Sequence, residues 1–435
     1  MKPFKSSFSI IIFGLANLFL LYEMGIQVSP SVMAFQLMLD FEIGAGMLGL
    51  MSAVYFYSYA AMQIPAGMLF DRYGPRVLIS LATVTCAVGA LLFGSTYHMV
   101  PASLGRLLMG FGSAFAFIGV LTVAFRWFHP RHFALLVGIA QFLAAVGALG
   151  GALPLAQLLK RLDWRTIMIA IATIGFILAA LCAFIIRDFP LGQQVKAPRR
   201  YDMYRELKEI IKNLQTWWLA LYAFCSWGPI VIFATLWGVP YLNERYQVSS
   251  TEAAAACSMI WIGIALTAPF IGWLSDWLLK RRPILIICAA LGLLSSLILF
   301  YSQVPYWGVF FLLFGFGVAG AGQILTFAVV KDINRPSITS TAIGVNNMAV
   351  VAGGAILQPL VGWILYLSWH GEIVEGVPSY STGDYLYALT LIPLCYAGAL
   401  ISSLFLIEET NAVPSYMPGE QLAEEKVICS LRLDP

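Results

Sequence analysis

The residues best equipped for chemistry in this sequence are Glu23 and Arg106, because each lies inside a long apolar run. A charge in a membrane-spanning helix costs at least about 2.5 kcal/mol, so it generally faces a partner or a water-filled cavity. A carboxyl group that gains and loses a proton beside a fixed cation can link proton movement to the binding of an anionic group. We therefore start from these two residues.

The spacing of the two residues allows their depths in a bilayer to be compared. Glu23 follows Phe8 by 15 residues, which is about 22 Å at about 1.5 Å per helical residue. Arg106 follows Pro101 by five residues in a helix of opposite direction, about 8 Å below the other surface of a core about 30 Å thick. The sequence predicts that the two residues lie level. Two roles stay open: coupling or substrate binding, and a static ion pair that locks the helices together.

Other polar residues in apolar runs are weaker candidates for the same site. Tyr22 and Gln27 are the expected neighbours of Glu23, with Gln27 one helical turn away, and Asn17 precedes them. The further candidates are Trp227, Gln323, Asn346 and Asn347. Amide groups in hydrocarbon tend to pair across helices, so structural pairing explains these amides as well as ligand contact does.

Long apolar helices must position these residues. The chain has 435 residues, of which 60% are hydrophobic and 11% are charged, compared with about 25% charged in soluble domains. We therefore expect an all-α membrane protein. Twelve apolar runs are long enough to cross a bilayer: 8–30, 47–68, 77–97, 101–125, 133–157, 165–187, 216–240, 255–278, 283–302, 306–329, 340–366 and 385–407.

The connections between these runs carry an uneven distribution of Lys and Arg. The side that holds the N-terminus has 20 of them, and the other side has 4. This bias predicts that both termini are cytoplasmic. The connection between the fifth and sixth runs, with Lys160, Arg161 and Arg165, is an exception.

The two parts of the chain repeat each other at a constant offset in residue number. Gly67 and Asp71 recur as Gly272 and Asp276, and LLMGFG from Leu107 recurs at the same offset as LLFGFG from Leu312. The repeat predicts two six-helix pseudo-symmetric halves, residues 1–190 and 215–407. Residues 191–214 are predicted to be a cytoplasmic amphipathic linker, and residues 408–435 a cytoplasmic tail.

A charged turn, GMLFDRYGPR, lies between the second and third runs. Gly67, Asp71, Arg72, Gly74 and Arg76 match the loop signature of the major facilitator superfamily, which this sequence resembles. The resemblance implies the major facilitator fold, with the substrate site between the halves near mid-membrane. It also implies a gating role for the turn.

The gating interpretation extends to two other places. Arg126 is a further candidate to pair with acidic groups when the cytoplasmic side is shut. The second copy of the turn, with Gly272 and Asp276, lacks the Gly-Pro-Arg ending, and its basic cluster 280–282 comes later. Arg106 followed by Gly110 is similar to the motif linked to proton coupling in the superfamily.

A narrower resemblance comes from LYEMGIQVSPSVM, residues 20–33, and from residues 55–76. These stretches are similar to a bacterial branch that includes phagosomal nutrient transporters, whose known cargo is amino acids. A more distant resemblance is to the lysosomal dipeptide transporter family. Both imply a small zwitterionic or anionic nutrient, and the bacterial branch implies a location in the inner membrane of a bacterium.

Three function classes follow from these observations. The first is a proton-coupled symporter that moves an amino acid, dipeptide or related organic acid by alternating access. The second is an efflux antiporter for drugs or siderophores. It comes from a resemblance of Gly147, Gly150, Gly151 and Pro154 in the fifth run to the antiporter signature of the superfamily, although the glycine-proline step of that signature is absent. The third is a membrane-bound enzyme or receptor, which is disfavoured because the sequence contains no catalytic constellation.

The partners expected from the sequence are a small-molecule substrate, protons and the lipid bilayer. The sequence contains no nucleotide-binding loop and no paired metal ligands, and its net charge of +3 gives no case for nucleic acid. We therefore expect no cofactor and no metal, and a chain that functions as a monomer.

Overall fold

The computed structural model describes residues 7–128, 133–188, 203–278, 280–334, 339–374 and 377–409. It is a helical bundle that the chain crosses from end to end twelve times, and we number these crossings as spans 1 to 12. Spans 1 to 6 are Ser7–Val28 with Pro30–Phe41, Ala45–Tyr73, Pro75–Ser95, Met99–Ser113 with Ala116–Trp127, Phe133–Leu158, and Trp164–Ile185.

Spans 7 to 12 form the second half of the bundle. They are Leu214–Ile232 continued by Phe233–Trp237 and Gly238–Tyr246, then Ser250–Leu278, Arg282–Tyr301, Tyr306–Ala321 with Ile324–Ile333, Thr339–Ser368, and Thr382–Leu389 continued by Leu391–Ile401 and Ser402–Leu406. A further helix, Met203–Lys212, lies in the connection between the halves. Two short strands, Ile373–Val374 and Val377–Pro378, pair in the connection between spans 11 and 12.

Two ends of the bundle are distinguished by their connections. We call the end of the bundle at which spans 2, 4 and 8 finish the basic end. We call the other end, at which spans 1, 5 and 11 finish, the opposite end. The predicted linker and tail fall partly on residues 189–202 and 410–435, which lie outside the described residues.

Span 2 is the most polar of the twelve crossings. Eleven helices of the described chain are long and apolar enough to cross a membrane, and span 2 is the twelfth, with 29 residues. Its apolar sequence is interrupted by Tyr55, Tyr57, Ser58 and Tyr59, which lower its mean hydropathy. The predicted all-α fold with twelve spans in two halves is confirmed, and the reason for the polarity of span 2 appears at the candidate site.

The repeat between the halves drifts along the chain. Spans 2 and 8 begin at Ala45 and Ser250, and the separation of these two residues in the chain equals the offset read from the sequence. Spans 4 and 10 begin at Met99 and Tyr306. These two residues are separated by two residues more than the starts of spans 2 and 8 are. In a helix, two residues correspond to a rotation of about 200°, so LLMGFG and LLFGFG face different neighbours.

Helix packing supports this drift. An added Cβ on Gly110 of span 4 would overlap the carbonyl oxygen of Tyr55 in span 2, and one on Gly317 of span 10 would overlap that of Ile260 in span 8. Gly112, the counterpart of Gly317 by the constant offset, packs on span 3 instead. The constant offset is therefore wrong at spans 4 and 10, where Gly110 takes the place that Gly317 has in the second half.

The two halves meet along spans 2 and 11 and along spans 5 and 8. Glycines allow spans 2 and 11 to touch: a Cβ on Gly49 would lie 2.8 Å from the carbonyl oxygen of Gln358, and one on Gly362 would lie 2.5 Å from that of Ala45. At the opposite end, Pro30–Phe41 of span 1 also packs on the last turns of span 7. The halves are therefore in contact at the opposite end, and the bundle is closed there.

Arginines at the opposite end bind the last carbonyl groups of neighbouring helices. Arg165 forms an ion pair with Asp40, and its Nε donates to the carbonyl oxygen of Thr96 at 3.3 Å. Arg245 donates from Nη2 to the carbonyl oxygen of Ser302 at 2.7 Å. Cations at helix C-termini satisfy unpaired carbonyl groups and oppose the helix dipole. Arg165, part of the exception in the charge distribution, therefore has a structural role.

Spans 1 and 5 approach until their backbones touch on either side of Glu23. An added Cβ on Gly147 would overlap the backbone of Leu21, and one on Gly151 would overlap the carbonyl oxygen of Gly25. Gly150 has no atom within 4 Å of the equivalent position. Close packing thus accounts for Gly147 and Gly151.

We expect Gly151→Ala to destabilise the protein, because the methyl group has no space between spans 1 and 5. Gly150→Ala, one residue away in the same helix, adds the same methyl group in open space and removes backbone freedom, which favours the helix by about 0.5–1 kcal/mol. Thermal unfolding of the purified variants measures both effects. Equal midpoints for the two variants would contradict the backbone contact.

Candidate functional site

Glu23 lies in the middle of span 1 and is completely buried, with 0% of its surface exposed. Its Oε2 accepts a hydrogen bond from the Tyr55 hydroxyl group at 3.0 Å. Its Oε1 has no hydrogen-bond partner in the described part of the chain. A buried carboxyl group with one donor has spare capacity to bind a proton or a second donor.

Arg106 lies in span 4 and is 1% exposed. Its Nη1 donates to the carbonyl oxygen of Ile26 at 3.2 Å, and its Cζ lies 4.7 Å from the centroid of the Tyr55 ring. Among the described residues, no carboxylate oxygen lies within 4.0 Å of the guanidinium group, and Nε has no hydrogen-bond partner. A cation over an aromatic face is attracted by the ring quadrupole.

Tyr55 therefore connects the two charges. Its hydroxyl group binds Glu23 and its ring face binds Arg106, so spans 1, 2 and 4 converge on one phenol. We call these three residues the Glu23–Tyr55–Arg106 cluster. The sequence places Glu23 and Arg106 together, and the structure brings them together through Tyr55 without a direct ion pair. Both residues are buried in this conformation, whereas the sequence argument had them facing a cavity.

Gly110 explains how span 4 comes close enough to place Arg106 over Tyr55. An added Cβ on Gly110 would overlap the carbonyl oxygen of Tyr55, so only glycine fits. One further contact holds the helices here, because Ser58 Oγ donates to the carbonyl oxygen of Leu107 at 2.8 Å. Arg106 and Gly110 share one face of span 4 since they are four residues apart.

The other candidates on span 1 lie around the cluster without joining it. Tyr22 packs its hydroxyl group against Gly175 of span 6. Asn17 donates from Nδ2 to the carbonyl oxygen of Phe13 in its own helix at 2.8 Å. Gln27 is buried, with 6% of its surface exposed. The structure adds Tyr59, whose ring contacts Tyr55 edge to face at 5.8 Å.

The candidates in the second half are distributed over three locations. Trp227 contacts Trp261 edge to face at 6.4 Å. Asn346 donates to Thr326 Oγ1 at 2.8 Å, within the second half. Gln323 is buried, and its Nε2 has no partner among the described residues.

Asn347 is the candidate that crosses between the halves. Its Nδ2 donates to Gln63 Oε1 of span 2 at 2.6 Å. This hydrogen bond joins spans 2 and 11, so any opening between these two spans must break it. Sequence reasoning selected Asn347 but not Gln63, which is 2% exposed.

The turn at residues 67–76 is held by Asp188 at the end of span 6. Gly74 has a φ of +75°, a left-handed conformation that favours glycine, and an added Cβ would overlap the Asp188 carboxylate. The Arg76 backbone N–H donates to Asp188 Oδ1 at 2.9 Å, and Arg76 Nε donates to the carbonyl oxygen of Ala183 at 2.9 Å. A carboxylate at the start of span 3 also complements its helix dipole.

The remaining gating candidates are only partly described. Gly67 and Gly272 both have open space around the Cβ position. Arg126 donates from Nη2 to the carbonyl oxygen of Phe70 at 2.9 Å. The side chains of Asp71, Arg72 and Asp276 lie outside the described part of the structure, so their pairing stays a prediction.

The second half has an equivalent of the Asp188 contact. Glu409 Oε1 accepts from the backbone N–H groups of Arg281 and Arg282 at 2.8 and 3.2 Å, at the start of span 9. Arg282 Nε donates to the carbonyl oxygen of Ser403 at 2.8 Å, as Arg76 does to span 6. The basic cluster 280–282 therefore serves the same anchoring role without the Gly-Pro-Arg ending. Sequence reasoning missed both Asp188 and Glu409.

The described chain thus forms twelve spans in two halves, with a buried acid and a buried arginine in the first half. The sequence matches the Major Facilitator Superfamily over residues 13–359, and the chain belongs to this family. It is a multi-pass membrane transporter of the secondary type, and its relatives are transporters rather than enzymes.

Three relatives illustrate the range of named functions. The chain is 23% identical over 397 residues to a probable anion transporter 4 of the chloroplast of Oryza sativa subsp. japonica, covering 85% of this chain and 66% of the relative. It is 23% identical over 401 residues to an ascorbate transporter of the Arabidopsis thaliana chloroplast (85% and 72%). It is 22% identical over 270 residues to a nitrite extrusion protein of Bacillus subtilis (61% and 65%). The chain thus spans about two thirds of the length of these relatives.

Solved structures share the fold. A bacterial homologue of the human lysosomal transporter Spinster, inward-facing and unoccupied, has a TM-score of 0.72 at 17% identity, covering 92% of this chain and 98% of that one. The nucleoside transporter NupG has a TM-score of 0.72 at 12% identity, covering 92% and 100%. The three sequence relatives named above are an anion, an ascorbate and a nitrite transporter, so they do not support the narrower resemblance to phagosomal or dipeptide transporters.

We expect Tyr55→Phe to lower the thermal unfolding midpoint, because Glu23 loses its donor in a buried position, which costs about 1–3 kcal/mol. Tyr57→Phe is the matched control, since Tyr57 is 44% exposed and lies two residues along the same span. Unfolding followed by tryptophan fluorescence compares the two. A Tyr57→Phe loss equal to that of Tyr55→Phe would contradict the cluster.

Glu409→Ala should destabilise the second half by about 1 kcal/mol, because two N–H groups at the start of span 9 lose their acceptor. Glu408→Ala removes a neighbouring exposed carboxylate and should leave the unfolding midpoint unchanged. Scanning calorimetry of both variants checks this. If the two substitutions have equal effects, the Glu409 contact has no anchoring role.

Proposed function

We propose that this protein is a proton-coupled transporter of a small organic anion, in which Glu23 binds the proton and Arg106 binds the anion. The observation that carries the proposal is that the Arg106 guanidinium group, although 1% exposed, has no carboxylate within 4.0 Å among the described residues. A buried cation without a directly paired anion is a binding site for one.

Charge balance links the proton to the anion. With Glu23 ionised, the cluster carries one negative and one positive charge, both in contact with Tyr55. Protonation of Glu23 leaves the positive charge of Arg106 uncompensated, which strengthens anion binding. By thermodynamic reciprocity, a bound anion favours protonation of Glu23 by the same factor. Proton and anion therefore bind together.

Tyr55 supplies the switch between the two ligands. Its hydroxyl group donates to Glu23 in this structure. A protonated Glu23 is neutral, so it does not need this donor to stabilise a negative charge. The same hydroxyl group can then turn to an anion beside Arg106, while the ring stays over the guanidinium group. One donor is thus shared by the proton site and the anion site.

The same reasoning ranks the substrate classes that the sequence suggests. An amino acid or dipeptide carries an ammonium group that needs a negative partner. A protonated Glu23 cannot provide that partner when the proton travels with the substrate. An organic acid without an amino group needs only Arg106 and Tyr55, and relatives named as anion and ascorbate transporters support this choice.

The orientation follows from the charge distribution. We place the protein in a bacterial inner membrane. Its basic end and both termini then lie in the cytoplasm, because connections rich in Lys and Arg stay inside. The halves are in contact at the opposite end, and we propose that the cargo is loaded or released at the basic, cytoplasmic end. Transport as a monomer agrees with a site formed within one chain.

An efflux antiporter is the second candidate, favoured by the relative named as a nitrite extrusion protein. In an antiporter the proton must weaken binding of the cargo, so that the two ligands alternate. For an anion at Arg106 the cluster gives the reverse sign, because protonation of Glu23 strengthens its binding. The geometry therefore favours symport.

Uptake into proteoliposomes tests the proposal. Labelled ascorbate, phosphate, nitrite and an amino-acid mixture are offered separately, with and without an acidic exterior. We expect an organic anion such as ascorbate, rather than inorganic phosphate or nitrite, to accumulate only with the proton gradient. Glu23→Gln should abolish accumulation but retain anion exchange, whereas Arg106→Lys should lose both.

Glu42→Gln is the matched control, because it neutralises an exposed carboxylate just beyond the end of span 1. It should accumulate the anion as the unmodified protein does. Gradient-driven accumulation by Glu23→Gln would rule out the coupling role. Accumulation of amino acids alone would overturn the substrate class.

A further inference from the structure

The connection between spans 11 and 12 is more than twice as long as its counterpart between spans 5 and 6. It runs from Trp369 to Ser381, whereas the counterpart runs from Leu159 to Asp163. Two short strands pair within it, and the Ser379 N–H donates to the carbonyl oxygen of Glu372 at 2.9 Å. A capping box between Ser381 and Asp384 fixes its junction with span 12. The long connection is thus specific to the second half.

This connection reaches across the seam to the first half. The Ala45 N–H at the start of span 2 donates to the Tyr380 hydroxyl oxygen at 2.9 Å. The first N–H groups of a helix have no partner inside the helix, and the N-cap residue, Gly44, has no side chain to provide one. Tyr380 therefore caps span 2 from the other half of the molecule.

Aromatic packing holds Tyr380 in this position. Its ring contacts Tyr385 edge to face at 6.3 Å, and Tyr385 contacts Tyr241 in the same way at 6.1 Å. Tyr380 is 4% exposed. With Ser31 of span 1 it lines a cavity of about 230 Å³ at the opposite end, between the halves. The phenol is fixed to the second half, and its hydroxyl group bonds to the first.

We propose that Tyr380 is a latch that holds the opposite end of the transporter closed. The hydrogen bond exists only while the start of span 2 lies against the second half, so it must break when the halves separate there. Its loss uncovers a helix N-terminus as well as a phenol. Because the hydrogen bond forms only while the opposite end is closed, the latch favours the closed conformation of that end. The proposal does not depend on which solute is carried.

The latch predicts a measurable change in access to the cavity that Tyr380 and Ser31 line. Ser31→Cys places a thiol in that cavity, in a chain that also carries Cys429→Ser to remove the tail cysteine. The six other cysteines are buried. The protein is reconstituted in lipid nanodiscs, where both faces meet the solvent, and its reaction with a polar maleimide is timed.

Tyr380→Phe should raise the labelling rate about two- to tenfold, the range that one net hydrogen bond supports. Tyr385→Phe, which changes a neighbouring phenol of the same half, should leave the rate unchanged. Gly44→Ala acts from the other half, because its methyl group would lie 3.2 Å from the Tyr380 hydroxyl oxygen. It should raise the rate, and the double variant should be no faster than Tyr380→Phe alone.

Two results would overturn the latch. One is an equal labelling rate for Tyr380→Phe and its parent, and the other is an equal increase in Tyr385→Phe. If Tyr380→Phe does not yield folded protein, Gly44→Ala decides the matter, with Gly14→Ala as control because that position has open space. Equal rates for these two glycine variants would also reject the proposal.

Discussion

A single phenol that serves two buried charges is the constraint on which the first half depends. Neither Glu23 nor Arg106 has more than 1% of its surface exposed, and charges in such surroundings need polar partners. Tyr55 provides a donor to one and an aromatic face to the other. Three helices must therefore stay within contact of one side chain. The glycine at position 110 and the glycines of spans 1 and 5 permit that approach by letting backbones touch.

The described structure has polar contacts both within each half and between the halves. Within each half, carboxylates cap spans 3 and 9 at the basic end, and arginines bind the ends of these spans at the opposite end. These contacts make each half a unit. Between the halves, the described polar contacts include the Asn347 amide and the Tyr380 hydroxyl group. Few of the hydrogen bonds in the described part of the chain cross between the halves, and glycines such as Gly49 and Gly362 let the backbones of spans 2 and 11 touch there.

The sequence was sufficient for the architecture and for the two charges, but not for the geometry that joins them. Hydropathy and helix direction place Glu23 and Arg106 level, since depth depends only on residue counts. The role of Tyr55 depends on how spans 1, 2 and 4 rotate about their axes, which residue counts do not determine. The tyrosines that make span 2 the least apolar crossing were the available signal. Asp188 and Glu409 were missed because their partners are backbone N–H groups, which leave no mark in a sequence. The drift of the repeat at spans 4 and 10 was hidden because two glycine-rich strings coincide at the constant offset.

Calorimetric titration with the transported anion, carried out in buffers of different ionisation enthalpy, tests the central claim most directly. The account predicts uptake of about one proton per anion over the pH range in which Glu23 starts ionised. It predicts none in Glu23→Gln, which should still bind the anion through Arg106. Anion binding without proton uptake across the whole pH range, or equal uptake by Glu23→Gln, would contradict it.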